Sequence, residues 1–222
     1  MKAIIFDLDG TLIDNMMVHH RAWQRKLKEL GLDYTLERVK EEIHGVNLEI
    51  LARLFGDRLT LEERKQIAWE KEEAYREIYA AEIKPLPGLM DLLNRCEELS
   101  VPIAIATAGP PENCFFALDA LGIRHRFGHI VHSAMVTKGK PDPEAFQQAA
   151  DGLGVPLSDC LVFEDSVTGA KAAANGHCAA IIVTTTHKVE EFAQFSHIKM
   201  FINDYVGLKM EKTEEGTFEI FS

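Results

Sequence analysis

The four residues Ala3-Ile-Ile-Phe6 form an unbroken apolar run that stops at two carboxylates, Asp7 and Asp9, followed by Gly10 and Thr11. A run so sharply bounded suits a strand buried on both faces of a parallel sheet, and such sheets bind ligands just beyond the carboxyl ends of their strands. Residues two apart in an extended chain point the same way, so Asp7 and Asp9 can address one ligand while Gly10 lets the backbone turn away. Two neighbouring carboxylates repel, and a cation beside them removes that penalty. The alternative for this stretch alone is a solvated acidic turn.

After Asp14 the apolar spacing changes from strand-like to helical. Trp23, Leu27 and Leu30 mark a first helix that Gly31 stops; Leu36, Val39 and Ile43 mark a second, and Leu48, Leu51 and Leu54 a third ahead of Gly56. Thr60-Leu-Glu-Glu63 reads as a capping box opening a fourth, charged helix, whose buried stripe is expected at Ile67, Ala74 and Ile78. Pro85-Leu-Pro-Gly88 punctuates the return. From there, predicted strands at 101–106, 130–131, 160–163, 179–183 and 199–202 alternate with helices. Repeated strand, helix, strand units imply a parallel sheet covered on both faces. The expected fold is therefore α/β: a doubly wound, Rossmann-like core of residues 1–14 and 86–222, with a small all-helical domain, residues 15–85, inserted after the first strand. The tail from Tyr205 reads either as a short edge strand or as frayed chain.

The chain has 222 residues, 24 basic against 35 acidic, for a net charge of −11. That field repels phosphate backbones and argues against a nucleic-acid partner. Cys96, Cys114, Cys160 and Cys178 show no paired metal-ligand spacing and read as reduced thiols of a cytoplasmic protein. The first strand begins almost at Met1, leaving no room for a signal peptide, and no apolar run approaches the roughly 18 residues of a membrane span. The expectation is a soluble monomer or weak homo-oligomer acting on a small molecule.

Three further polar signals fall where strands are predicted to end: Thr107 after the second, Lys140 in Lys138-Gly-Lys-Pro-Asp142 ahead of a helix, and Glu164-Asp165-Ser166 after the fourth. Each has an ordinary reading by itself, as a β-former, a solvated charge or a helix cap. In the order Asp-x-Asp, Thr, Lys, Glu-Asp along one sheet edge they resemble the four motifs of the haloacid dehalogenase-like hydrolases, over the whole chain. The helical insert between the first two motifs is similar to that of the subgroup containing sugar-phosphate phosphatases and β-phosphoglucomutase, in which it is a cap.

The resemblance implies a phosphatase acting on a small phosphorylated metabolite, with Mg²⁺ held by the Asp7 carboxylate, the Asp9 backbone carbonyl, Asp165 and, directly or through water, Glu164. It implies that Asp7 attacks phosphorus to form an aspartyl phosphate, that Asp9 serves as general acid and base, that Thr107 donates to the transferring group, and that Lys140 adds positive charge and holds Asp7 in line. The Asp9 proton donor also speaks against dehalogenase chemistry, since a leaving halide needs none. Candidate substrate contacts are Thr107, Ala108, Lys140, His19, Asn47 and Asn113.

A mutase of this subgroup must grip a second phosphate, which calls for cations and donors. Here Leu48 stands where those mutases carry an Arg, and Thr107 is followed by Ala-Gly-Pro-Pro111, whose prolines lack an N–H. Hydrolysis is therefore the favoured reading and phosphoryl transfer between sugar positions the alternative. His19 is matched by a hinge histidine of the mutases, although a His near Trp on a helix is usually structural; Asn113 faces either substrate or solvent. A phospho-aspartate signalling receiver carries a similar residue set, but on a much shorter chain. His129 and His132 show no metal spacing.

Overall fold

The computed structural model describes residues 1–214 and 216–221. The chain divides into two compact units, Met1–Asp14 with Lys84–Ser222, and Asn15–Ile83.

The first unit is built on strands β1 (Ala3–Phe6), β2 (Ile103–Ala106), β3 (His129–Val131), β4 (Cys160–Glu164), β5 (Ala179–Val183) and β6 (Ile198–Ile202), all parallel, in the order β3-β2-β1-β4-β5-β6. From β1 the chain steps outward through β2 to β3, then crosses back to β4 on the other side of β1 and steps outward again to β6. The direction of winding reverses between β1 and β4, and right-handed crossovers must then place successive helices on opposite faces. One face packs Ala3, Ile5, Ala104, Val162, Ala180 and Ile182 with residues of two helices, Glu144–Leu153 and Val167–Asn175. The alternate residues point the other way, where Phe6 stacks on Phe163 with centroids 5.0 Å apart and Phe163 leans on Tyr205 at 5.5 Å. β1, β2 and β4 are buried throughout, which explains why they read as continuous apolar runs.

The fold class expected from the strand and helix alternation is present. The tail fits neither of its two readings. After the buried Tyr205 it forms a separate antiparallel hairpin, Lys209–Lys212 with Phe218–Phe221. The N–H of Phe218 donates to the Met1 carbonyl at 2.8 Å, and Arg95 donates to the Met210 carbonyl at 3.0 Å, so this hairpin is tied to the core without extending the main sheet.

The second unit consists of helices Met16–Glu29, Leu36–Glu42, Asn47–Phe55 and Leu61–Tyr79 around Trp23, Leu27, Val39, Ile50, Leu51, Phe55 and Ile67. The capping box at Thr60 and Glu63 closes in both directions, with the Glu63 carboxylate accepting from the Thr60 N–H at 2.7 Å. The buried stripe of the last helix differs from the expected one. Ile78 is only half-buried, while Lys71, Tyr75 and Tyr79 are buried with Ile67 and Ala74. Spacings of four and three from Ile67 lead through Lys71, and a charged residue there escapes a reading based on apolar spacing. All four cysteines are buried and unpaired. Among the described residues, no helix is long and apolar enough to cross a membrane.

Candidate active site

The reversal between β1 and β4 opens a crevice at the carboxyl ends of these strands. Register decides what enters it. Phe6 lies opposite Phe163 and Ile105, so Asp7 stands level with Glu164, and Thr107 one residue further along β2. The Asp7 N–H donates to the Phe163 carbonyl at 2.9 Å, and the Thr107 N–H to the Val131 carbonyl at 3.0 Å, so both residues are held by the sheet although they lie just past its strands.

Lys140 arrives from the loop after β3. Its ammonium donates to Asp7 Oδ1 at 2.7 Å and to Glu164 Oε1 at 2.6 Å, and its side chain is only 7% exposed. The loop is shaped by the Glu144 carboxylate, which accepts from the N–H groups of Thr137 and Lys138 and from the Thr137 hydroxyl. The second oxygen of Glu164 accepts from the N–H groups of Asp165 and Ser166 and from the Ser166 hydroxyl. Glu164 is therefore saturated by its surroundings.

The ligand oxygens of Asp7, Glu164 and Asp165 all lie within 4.8 Å of one another, and all three residues are buried. One ammonium does not balance three carboxylates. Burial, then the neighbouring Glu164 and Asp9, raise the Asp7 pKa to about 7 even though Lys140 acts to lower it. Burial, Glu164 and Asp7 likewise push Asp165 well above the usual carboxylate range. Burial alone would lower the Lys140 pKa, but Asp7 and Glu164 outweigh it and hold the ammonium above its ordinary value. The donor set is all hard oxygen, carries excess negative charge and sits at a sheet edge, which suits a divalent cation such as Mg²⁺.

Asp9 and Thr107 approach each other beside Gly109. A Cβ at Gly109 would lie 3.1 Å from Asp9 Oδ2 and 3.3 Å from Thr107 Oγ1, and the Gly109 N–H donates to that hydroxyl at 2.9 Å. The turn after β1 requires glycine for two reasons. Gly10 has φ +77°, and a Cβ there would overlap the Asp165 carboxylate and stand 2.8 Å from Thr186 Oγ1.

The structure thus brings together Asp7, Lys140, Glu164 and Asp165, with Asp9 beside Thr107. Ala108 is exposed next to them in sequence, and Asn113 is buried on the helix Pro111–Ala120, so it does not lie on that helix's exposed side. His19 and Asn47 belong to the helical unit. There the His19 ring stacks on Tyr75 with centroids 4.0 Å apart, and its Nδ1 accepts from the Lys71 ammonium at 3.2 Å. Lys71 pairs with Glu72 at 2.5 Å, and Asn47 Nδ2 donates to the same Glu72 oxygen at 2.7 Å. Burial and the Lys71 charge lower the His19 pKa to about 3, so this imidazole is neutral. Sequence reasoning missed Lys71 and Glu72, as it missed Thr185, Thr186 and Tyr205. A hydroxyl run straight after β5 is the signal that would have found the two threonines, by the logic that singled out Thr107.

The pattern of the haloacid dehalogenase-like hydrolase family matches residues 1–177. The chain is 32% identical to the phosphorylated carbohydrates phosphatase of Thermotoga maritima, over 78% of this chain and 80% of that protein. It is 31% identical to the β-phosphoglucomutase of Bacillus subtilis, over 78% of each. Among solved structures, a HAD hydrolase of family IA, variant 3, from Entamoeba histolytica superposes with a TM-score of 0.84 at 26% identity, covering 92% of this chain and 94% of that one. With the family pattern spanning Asp7, Asp9, Thr107, Lys140, Glu164 and Asp165, the chain belongs to the haloacid dehalogenase-like hydrolases.

Proposed function

We propose that the protein is a Mg²⁺-dependent phosphatase that hydrolyses a small phosphorylated metabolite, a sugar phosphate by preference, through an aspartyl phosphate on Asp7. The observation that carries this reading is the buried cluster of Asp7, Glu164 and Asp165 sharing the single ammonium of Lys140. The relatives named as phosphatases of phosphorylated carbohydrates support the substrate class.

Asp7, the Asp9 backbone carbonyl and Asp165 would hold the ion, with Glu164 acting through water because its oxygens are already engaged. Bound there, Mg²⁺ supplies the positive charge that offsets the carboxylates and the phosphoryl oxygens. Lys140 fixes one oxygen of Asp7 and leaves the other for attack. Asp7 forms a bond to phosphorus as the bond to the leaving alkoxide breaks, and Asp9, protonated, gives its proton to that alkoxide. Thr107, beside Asp9, orients the transferring group. In the second half Asp9, now a carboxylate, takes a proton from water as the water attacks phosphorus; the bond to Asp7 breaks and inorganic phosphate leaves. General acid and base catalysis of this kind contributes about 10²- to 10⁴-fold.

Phosphoryl transfer within a sugar is the second reading, supported by the likeness to β-phosphoglucomutase. Against it, Pro110 and Pro111 occupy the N-cap and first position of the helix after Thr107, removing two N–H donors, and Leu48 brings no charge.

Phosphate release from a panel of sugar phosphates with Mg²⁺, including β-glucose 1-phosphate with and without a bisphosphate, tests both readings beside Asp7→Asn. Release that vanishes in the variant is expected. Isomerisation without release would establish the mutase, and stable phosphorylation of Asp7 without turnover would point to a signalling role.

A further inference from the structure

Two hydroxyls from outside the family pattern, which ends at residue 177, reach into the crevice. They belong to Thr185 and Thr186, directly after the segment that continues β5. The Thr185 hydroxyl donates to the Gly10 carbonyl at 2.5 Å, across 175 residues of sequence. The Thr186 hydroxyl faces the Asp165 carboxylate across Gly10, where a single Cβ would touch both Asp165 Oδ2 and Thr186 Oγ1. The two hydroxyl oxygens stand 3.5 Å apart. β5 adjoins β4 and not β1, so this pair reaches past the β4 loop to the β1 loop. Gly10 is pressed against both partners, since a Cβ there would meet Asp165 and Thr186 together. On the other side, the Tyr205 hydroxyl donates to the Thr11 carbonyl at 3.0 Å. The loop that carries Asp9 is therefore held from outside by hydroxyls on successive carbonyls, Gly10 and Thr11.

We infer that Thr185 and Thr186 are positioning residues for the cation: Thr186 orients the Asp165 carboxylate and Thr185 fixes the Asp9–Gly10 loop, so that oxygens from β1 and β4 converge on one ion. The inference rests on the proposed Mg²⁺ site. Asp7 and Asp165 repel each other in the metal-free protein, and the β1–β4 register that sets Asp7 level with Glu164 does not by itself hold together the two turns beyond it. A hydroxyl bridge from a third strand does so without adding charge. Hydrogen-bonded partners of ligating carboxylates act in this way, and their removal typically costs metal affinity.

The test is Mg²⁺ binding by titration calorimetry of the full chain, with unfolding midpoints measured in chelator. Thr186 is exposed on its outer side, so replacing its hydroxyl by a methyl leaves the core intact. Thr186→Val is expected to weaken Mg²⁺ binding by roughly 10- to 100-fold, as is Thr185→Val, while Thr186→Ser, which keeps the hydroxyl, stays within about threefold of the wild type. Metal-free midpoints of wild type and Thr186→Val should coincide. Wild-type affinity in Thr186→Val overturns the inference and leaves the phosphatase reading standing. So does a fall in the metal-free midpoint that accounts for the whole loss of binding, because that would make the role structural. A wild type that binds no Mg²⁺ overturns both.

Discussion

Asp7→Asn removes a charge from a buried site without changing its shape, and its effect on stability can be worked out from the surroundings of Asp7. In the metal-free protein the Asp7 pKa stands at about 7 against an ordinary value of 3.8. Between those values the folded protein keeps a proton that the unfolded chain has lost. A raised carboxylate pKa therefore contributes stability below the unfolded value that is lost as pH rises through the folded one. At about 1.4 kcal/mol per unit, Asp7 costs the wild type roughly 1.5–2 kcal/mol at pH 5 and about 4 kcal/mol at pH 8. Asparagine pays neither cost. The stability of Asp7→Asn relative to wild type should thus rise by roughly 2–3 kcal/mol from pH 5 to pH 8 in chelator, and most of that rise should disappear in saturating Mg²⁺, which stabilises the ionised wild type. Urea unfolding at the two pH values, with and without Mg²⁺, measures it. A difference between the proteins that does not change with pH would refute the claim that burial and like charge hold a proton on Asp7.

Other perturbations have equally definite outcomes. Lys140→Met leaves buried carboxylates without their only ammonium and should cost about 3–5 kcal/mol in urea unfolding at pH 8, together with loss of phosphatase activity. Gly10→Ala places a Cβ against Asp165 at a positive φ; an L-residue pays roughly 1–2 kcal/mol for that backbone alone, and metal binding should fall with stability in paired unfolding and calorimetric measurements. In the helical unit His19 is neutral with its pKa lowered to about 3, so the unfolded chain takes up a proton first as pH falls below 6.5. That costs the wild type about 2 kcal/mol between pH 7 and pH 5, and His19→Phe should lose this sensitivity when the two unfolding curves are compared.

Much of the architecture lies in local pattern. The β1 and β2 segments, and β4 as far as Phe163, are apolar at every position because both faces of the sheet are covered, and the four helices of the second unit repeat their apolar residues at helical spacing. Those signals need no partner, so the α/β class follows from them directly. Polar residues just past strand ends are local signals too, which is why Asp7, Thr107, Lys140 and Glu164-Asp165 stand out in the chain. What such signals leave open is partnership. Whether Lys140 faces Asp7, 133 residues away, is decided by strand order and register, and so is the saturation of Glu164 by Lys140, Asp165 and Ser166. Lys71 is buried on a helix whose composition marks that position as solvent-facing, because Glu72 and His19 compensate it there. Tyr205 and the hairpin beyond it carry no apolar run like those of β1 and β2, since Lys209–Lys212 is mostly charged and exposed, and their placement comes from contacts with Met1, Thr11 and Arg95. Thr185 and Thr186 acquire a role only when the fold brings the Gly10 carbonyl and the Asp165 carboxylate close to their hydroxyls. Sequence by itself determined which segments form the main sheet and the helices and that Asp7, Asp9, Thr107, Glu164 and Asp165 sit at strand ends, since those depend on neighbours a few residues away. Only the tertiary structure decided which groups share a proton, a hydrogen bond or a charge, because those energies depend on distances of a few ångströms between residues far apart in the chain.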